Sequence, residues 1–174
     1  AQTAQEYTYG TLRNLLVRQP RRIRLLLGKY FSMATFALIS VLVSSITAVG
    51  LAISLSGKAK IATDNWFTNE GYTAFGHSLV NVLISTIGYG TIGMILGILL
   101  RSPISSISIG VGWLLVVESI IALAWQASAN WMPAQLLAIV ASGGTSLRSQ
   151  ATLDYSQALI RVVIYIVLAS VGAG

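Results

Sequence analysis

The sequence predicts an all-α, polytopic membrane protein with four helical spans. Apolar residues make up 55% of the 174 residues and charged residues only 9%, whereas roughly a quarter of the residues in a soluble domain are charged. Four apolar stretches approach the ~20 residues that a helix needs to cross a hydrocarbon core. A dense basic segment precedes the first of them. We expect a single transmembrane domain over residues 1–174, because no internal repeat or low-complexity linker divides the chain.

The segment at residues 1–29 is predicted to be cytoplasmic. Six of the eleven basic residues lie in it, on the amino-terminal side of the first apolar stretch, and the positive-inside rule places such a segment in the cytoplasm. Thr3 and Glu6 have the spacing of a capping box at a helix start. Gln19–Pro20 then separates this amphipathic helix from a second one. The residues expected to hold the segment against anionic lipid headgroups are Arg21, Arg22, Arg24 and Lys29.

The four predicted spans are residues 30–56, 78–100, 104–126 and 159–174. The polar loop between the first two spans contains Trp66 and Phe67, which suit the outer membrane–water interface. Arg101–Ser102–Pro103 predicts a tight cytoplasmic turn between the second and third spans, because proline cannot continue the preceding helix. The third span then returns the chain to the outer side.

A short apolar run lies between the third and fourth spans. It begins at Pro133, which suits the first turn of a helix, and Gly143–Gly144 stops it. The run is too short to cross a bilayer. We therefore predict an outer re-entrant segment at about residues 131–144.

The composition argues against several kinds of functional site. The chain has no cysteine and one histidine, His77, so disulfides, thiolate metal sites and thiol nucleophiles are excluded. His77 is expected to be an interfacial residue, and no metal site is predicted. The basic residues lack the interleaved aromatics of a nucleic-acid surface. We therefore expect neither nucleic-acid binding nor catalysis by this chain.

One stretch resembles a phosphate-binding loop, because Gly57–Lys58 follows an apolar run. Ala52 stands where that loop needs its first glycine, and Ala59 stands where it needs a Ser or Thr for magnesium. The chain is therefore not expected to bind ATP itself.

The second span contains Thr86-Ile87-Gly88-Tyr89-Gly90, which spells a potassium-channel selectivity filter. A filter needs an uninterrupted helix of about 20 residues after it, but only ten residues follow before Arg101. A potassium-selective channel is therefore kept as the alternative function. The favoured interpretation is close helix packing at the small residues of this span, which are Gly88, Gly90, Gly93 and Gly97.

Glu118 lies well inside the third span, where a lone charge is costly and usually faces protein or water. Arg161, near the outer start of the last span, is the only basic residue at a suitable depth to meet it. We predict a structural ion pair between these two helices, in preference to a contact with a substrate or a proton.

The cytoplasmic segment resembles the loop that precedes the last four helices in permease subunits of type-two ATP-binding-cassette exporters. The resemblance is carried by Glu6-x-x-x-Gly10-Thr11-Leu12-x-x-Leu15-Leu16, followed by Pro20, Arg22 and Gly28-Lys29. A second match is Trp131-Met132-Pro133 after an acidic residue, Glu118, in the preceding span. Nearly the whole chain is covered. The family has six membrane helices, so the resemblance implies two further helices before this chain, which lacks an initiating Met, and an incomplete last helix.

The resemblance implies a transport function in the bacterial inner membrane. The chain would form half of a translocation pathway with a second permease subunit, identical or not, and would bind no cofactor itself. ATP and magnesium would belong to a separate cytosolic ATPase, whose closure moves the amphipathic segment as a coupling helix. The residues that would contact the ATPase are Tyr9, Gly10, Thr11, Leu12, Leu15, Leu16 and Pro20.

Overall fold

The computed structural model describes residues 22–59, 66–100, 102–144 and 153–172, and within these ranges the chain is helical with no strand. The all-α class is thereby confirmed. The helices are α1 (Arg22–Ala59), α2 (Asn69–Leu100), α3 (Pro103–Gly112), α4 (Glu118–Ala124), α5 (Gln126–Ala129), α6 (Pro133–Ala141) and α7 (Tyr155–Gly172), and a π-helical segment, Trp113–Val117, joins α3 to α4.

Three helical stretches are long and apolar enough to cross a membrane: Leu27–Gly57, Asn69–Leu100 and Pro103–Ala124. They coincide with the first three predicted spans, and α2 begins nine residues earlier than expected. The described apolar part of α7, Tyr155–Leu168, is shorter, so the fourth span stays a prediction.

Several hydroxyl side chains in these apolar helices donate to carbonyls of their own helix. In α1, Thr35 donates to the carbonyl of Phe31 at 2.9 Å and Ser45 to that of Val41 at 2.7 Å. Such bonds remove the cost of exposing a hydroxyl to hydrocarbon. Large apolar side chains on α1 face outward, and Phe36 is 73% exposed, as expected of a surface covered by lipid.

The turn between α2 and α3 forms where it is predicted. Pro103 occupies the first turn of α3, and the side chain of Ser102 accepts from the backbone N–H of Ser105. Proline is favoured there because the N–H it lacks would have no partner within the helix.

The packed centre of the molecule is built around α6, which lies against α2 and α7, while α1 packs on α2. The buried cluster combines α6 with two residues of α7: Leu136, Leu137, Ile139, Val140, Ala158 and Val162.

The predicted coupling helix lies outside the described residues. This applies to the cap residues Thr3 and Glu6, to all seven predicted ATPase contacts and to Arg21. Of Arg22 and Arg24 only the backbone is described, in the first turns of α1, and Lys29 is half-buried in the same helix.

Candidate functional site

Helix α6 is a short helix buried inside the membrane domain. Its nine residues rise only about 14 Å, less than half of a hydrocarbon core of ~30 Å. Leu136 and Val140 are fully buried. The helix starts at Pro133, and the residue before it, Met132, provides no side-chain cap. The orphan amides at the start of α6 must therefore be satisfied from elsewhere.

Glu118 provides that cap from the neighbouring span. Its Oε2 atom accepts the backbone N–H of Ala134 at 2.8 Å, and the whole side chain is buried. The backbone amide of Gln135 and the indole of Trp113 also lie close to the carboxyl group, but Oε1 is buried without a hydrogen-bond partner of good geometry. A carboxylate is well suited to this position because a helix start carries partial positive charge.

The π-helical segment determines where Glu118 points. The backbone N–H of Glu118 donates to the carbonyl of Trp113, five residues earlier. Compared with a continuous α-helix, the extra residue rotates everything that follows by about 100°. No proline or glycine lies within residues 113–117, so the sequence carries no evident signal for this segment.

Helix α2 contributes a row of polar side chains along α6. Asn81, Ser85 and Tyr89 are spaced four residues apart and therefore share one helical face. Ser85 donates to the carbonyl of Leu137 at 3.0 Å, and Tyr89 donates to that of Ala134 at 3.3 Å. The later residue of α2, Tyr89, meets the earlier residue of α6, Ala134, so the two helices are antiparallel. None of these three residues is among the predicted site residues, although polar residues spaced four apart in an apolar span can be recognised in a sequence.

The far end of α6 is closed by two glycines. Gly143 and Gly144 have φ values of 68° and 97°, where a Cβ would be strained. Their amides donate to the carbonyls of Val140 and Ile139 at 3.2 and 2.9 Å. This is the Schellman arrangement, which satisfies carbonyls left open at a helix end. The sequence correctly predicts both the start and the stop of this helix.

Asn81 is held in place by Tyr155, whose hydroxyl donates to Asn81 Oδ1 at 2.5 Å. Asn81 is 6% exposed, so water cannot easily replace Tyr155 as the donor to its side-chain oxygen. Tyr155→Phe is expected to lower the free energy of unfolding by about 1–2 kcal/mol, measured by chemical denaturation in detergent. Tyr72→Phe, at an exposed position of α2, is the matched control. Equal effects of the two changes would contradict a structural role for the Asn81–Tyr155 bond.

Arg161 does not form the predicted ion pair with Glu118. Its guanidinium donates to the backbone carbonyl of Asn130 and lies 4.4 Å from the ring centroid of Trp131. Tyr165 donates to the carbonyl of Trp131 at 3.1 Å. The prediction fails because it considered only side-chain charges, whereas the start of α6 is the positive partner of Glu118.

The four packing glycines of α2 fall into different environments. A Cβ at Gly88 would lie 2.4 Å from Leu137 Cδ2, and one at Gly90 would lie 2.7 Å from the sulfur of Met33. Gly97 is buried. A Cβ at Gly93, in contrast, would meet nothing within 4 Å. Close packing therefore holds at Gly88 and Gly90, while the space in front of Gly93 is open among the described residues.

The filter-like sequence at residues 86–90 lies within the continuous helix α2. Its carbonyls are directed along the helix, and Thr86 donates to the carbonyl of Val82 at 2.7 Å. A selectivity filter instead needs extended backbone that points its carbonyls at the ion. His77, also on α2, is exposed.

Comparison with curated proteins finds no match, and comparison with solved structures finds none either. One family of proteins, described as proteins of unknown function (DUF2705), matches residues 1–173. Since this match covers almost every residue, the chain belongs to the DUF2705 family.

Proposed function

We propose that this chain is the permease subunit of an ATP-driven exporter of the type-two ATP-binding-cassette class. The observation that supports this most strongly is α6, a buried helix too short to span, whose start is met by an ionisable side chain from another helix. Transporters commonly expose the ends of such broken helices at the centre of the membrane. Helix ends at that depth are tolerated only where protein or an aqueous cavity surrounds them.

The depth of this helix end supports a place on a transport pathway. Tyr89, which bonds to Ala134, precedes Leu100 by eleven residues, or about 16 Å along α2. With Leu100 and Pro103 at the cytoplasmic edge, Ala134 lies about 16 Å from that edge, and Glu118, fifteen residues after Pro103, lies about 22 Å from it. Both positions are therefore inside a ~30 Å core. Ionisable groups at that depth are costly and usually belong to substrate or ion pathways.

The contacts between α1 and α2 offer a route for coupling. Gly90 lies against Met33, and the hydroxyl oxygens of Thr91 and Tyr30 lie 3.5 Å apart. Both positions adjoin Tyr89, which contacts α6. A force applied to the cytoplasmic segment at the start of α1 would therefore reach α6 through two contacts, that of α1 with α2 and that of α2 with α6. We propose that a cytosolic ATPase supplies that force.

The remaining parts of the proposal follow from this assignment. The protein would reside in the bacterial inner membrane with residues 1–29 in the cytoplasm, α7 as a fourth span and α6 as a re-entrant helix. A second permease subunit would complete the pathway, and ATP and magnesium would bind only to the ATPase. The potassium channel is not favoured, because residues 86–90 are helical.

The coupling role is tested by charge substitutions in the amphipathic segment of the full-length protein. Leu12→Asp and Leu16→Asp should each abolish co-purification of the ATPase, because an apolar face cannot dock once it carries a charge. Asn14→Asp adds the same charge to the opposite face of the predicted helix and should leave association intact. Pull-down from membranes, with folding checked by gel filtration, measures the outcome. Association that survives in both leucine variants would contradict the coupling role.

A further inference from the structure

An apolar groove of about 350 Å³ opens beside the start of α6. It lies between α2 and α7, and its walls include Gly88, Ile92, Pro133, Leu137, Val162 and Ile166. Both α2 and α7 continue past the point where α6 begins. The groove is therefore the space that a full-length helix would fill, and its volume is in the ~300–1,000 Å³ range of ligand sites.

Arg161 does not line this groove, but it contacts a residue that does. Trp131 lines the groove, and the guanidinium of Arg161 lies 4.4 Å from the centroid of the Trp131 ring. Arg161 donates to the carbonyl of Asn130, but a guanidinium has five N–H donors. It forms no ion pair with any carboxylate of the described residues, since Glu118 caps α6 instead. Its charge is thus not balanced by the described part of the chain.

We propose that this groove binds a single-chain anionic amphiphile. The hydrocarbon chain would lie along the apolar walls, and the anionic group would pair with Arg161. A charge inside the membrane is costly without a partner. Pairing the anionic group with Arg161 would therefore lower the free-energy cost of both charges. A guanidinium recognises carboxylate and phosphate oxygens through paired N–H groups.

The volume of the groove selects one chain rather than two. A water molecule occupies about 30 Å³ in the liquid, so about 350 Å³ holds roughly a dozen groups of similar size. That space suits one medium-length chain better than the two chains of a phospholipid. Identifying this ligand as the cargo rests on the proposed export function, but its binding does not.

The test uses the full-length protein in phosphatidylcholine nanodiscs, without ATPase or nucleotide. The probes are photoreactive dodecanoic acid and the matching photoreactive dodecanol, and mass spectrometry locates the labelled residues. The acid should label groove residues about tenfold more efficiently than the alcohol, because only the acid pairs with Arg161. Equal labelling by acid and alcohol would overturn the proposal. Loss of ATPase association in the coupling test would not affect this result.

Variants separate the two parts of the site. Arg161→Gln should reduce the acid-to-alcohol labelling ratio to about one, and Arg161→Lys should retain a reduced preference. Because unfolded protein would also lower this ratio, gel filtration checks that each variant is folded, and the charge-retaining Arg161→Lys serves as the control. Ile166→Trp should block labelling by filling the groove, whereas Ile164→Trp, at an exposed position of α7, should not. An unchanged ratio in Arg161→Gln, or equal labelling of the two tryptophan variants, would refute the site.

Discussion

Replacing Glu118 with alanine is expected to release the start of α6 from the third span. The change removes the acceptor of the Ala134 amide, which is buried and has no neighbouring side-chain cap. Leaving such a donor unsatisfied costs about 1–3 kcal/mol, in line with the loss of an N-cap. Hydrogen exchange should show faster exchange of the first α6 amides, and thermal unfolding in detergent should begin at a lower temperature.

Glu118→Gln should have a smaller effect, because an amide carbonyl can still accept the bond but carries no charge. Ser119→Ala is the matched control, since the Ser119 hydroxyl donates to the carbonyl of Leu115, four residues earlier in the same span. If Glu118→Ala leaves exchange in α6 as slow as Ser119→Ala does, the capping role is lost.

Gly88→Ala is expected to destabilise the protein by about 1–3 kcal/mol, the usual range for overpacking a core. The new Cβ would lie 2.4 Å from Leu137 Cδ2, and Leu137 is only 2% exposed. Gly93→Ala makes the same chemical change where a Cβ meets nothing within 4 Å. It should be neutral or stabilising by up to about 1 kcal/mol, because alanine favours a helix over glycine. Chemical denaturation in detergent compares the two variants.

A second substitution tests whether the cost at Gly88 arises from Leu137. In the double variant Gly88→Ala/Leu137→Ala, the space left by the leucine accepts the new methyl group, so the two effects should be strongly non-additive. Simple addition of the two single-variant effects would place the clash elsewhere.

Much of the fold could be predicted because membrane helices leave a strong signal in sequence. Apolar length locates three spans, Pro103 locates the turn between α2 and α3, and Pro133 with Gly143 locates both ends of α6. In each case one local property determines the structure. Hydropathy does not reveal where a helix ends in the interfacial region, which explains the longer α2.

The candidate site could be predicted only in part. Glu118 is conspicuous as a charge in an apolar span, but its partner is a backbone amide of α6, and every residue except proline carries such a group. Only the three-dimensional structure shows which amide is left unpaired and nearby. Asn81, Ser85 and Tyr89, in contrast, are polar residues at helical spacing, so their common face can be read from the sequence.

The five-residue turn that begins at Trp113 has a consequence for how this chain can vary. Deleting one residue there would restore a regular α-helix and swing the Glu118 carboxylate about 100° away from α6. Substitutions at positions 114–117 should therefore be tolerated far better than insertions or deletions. The number of residues that precede Glu118 in the third span therefore decides whether the cap can form. Natural relatives with the same cap should keep that number constant.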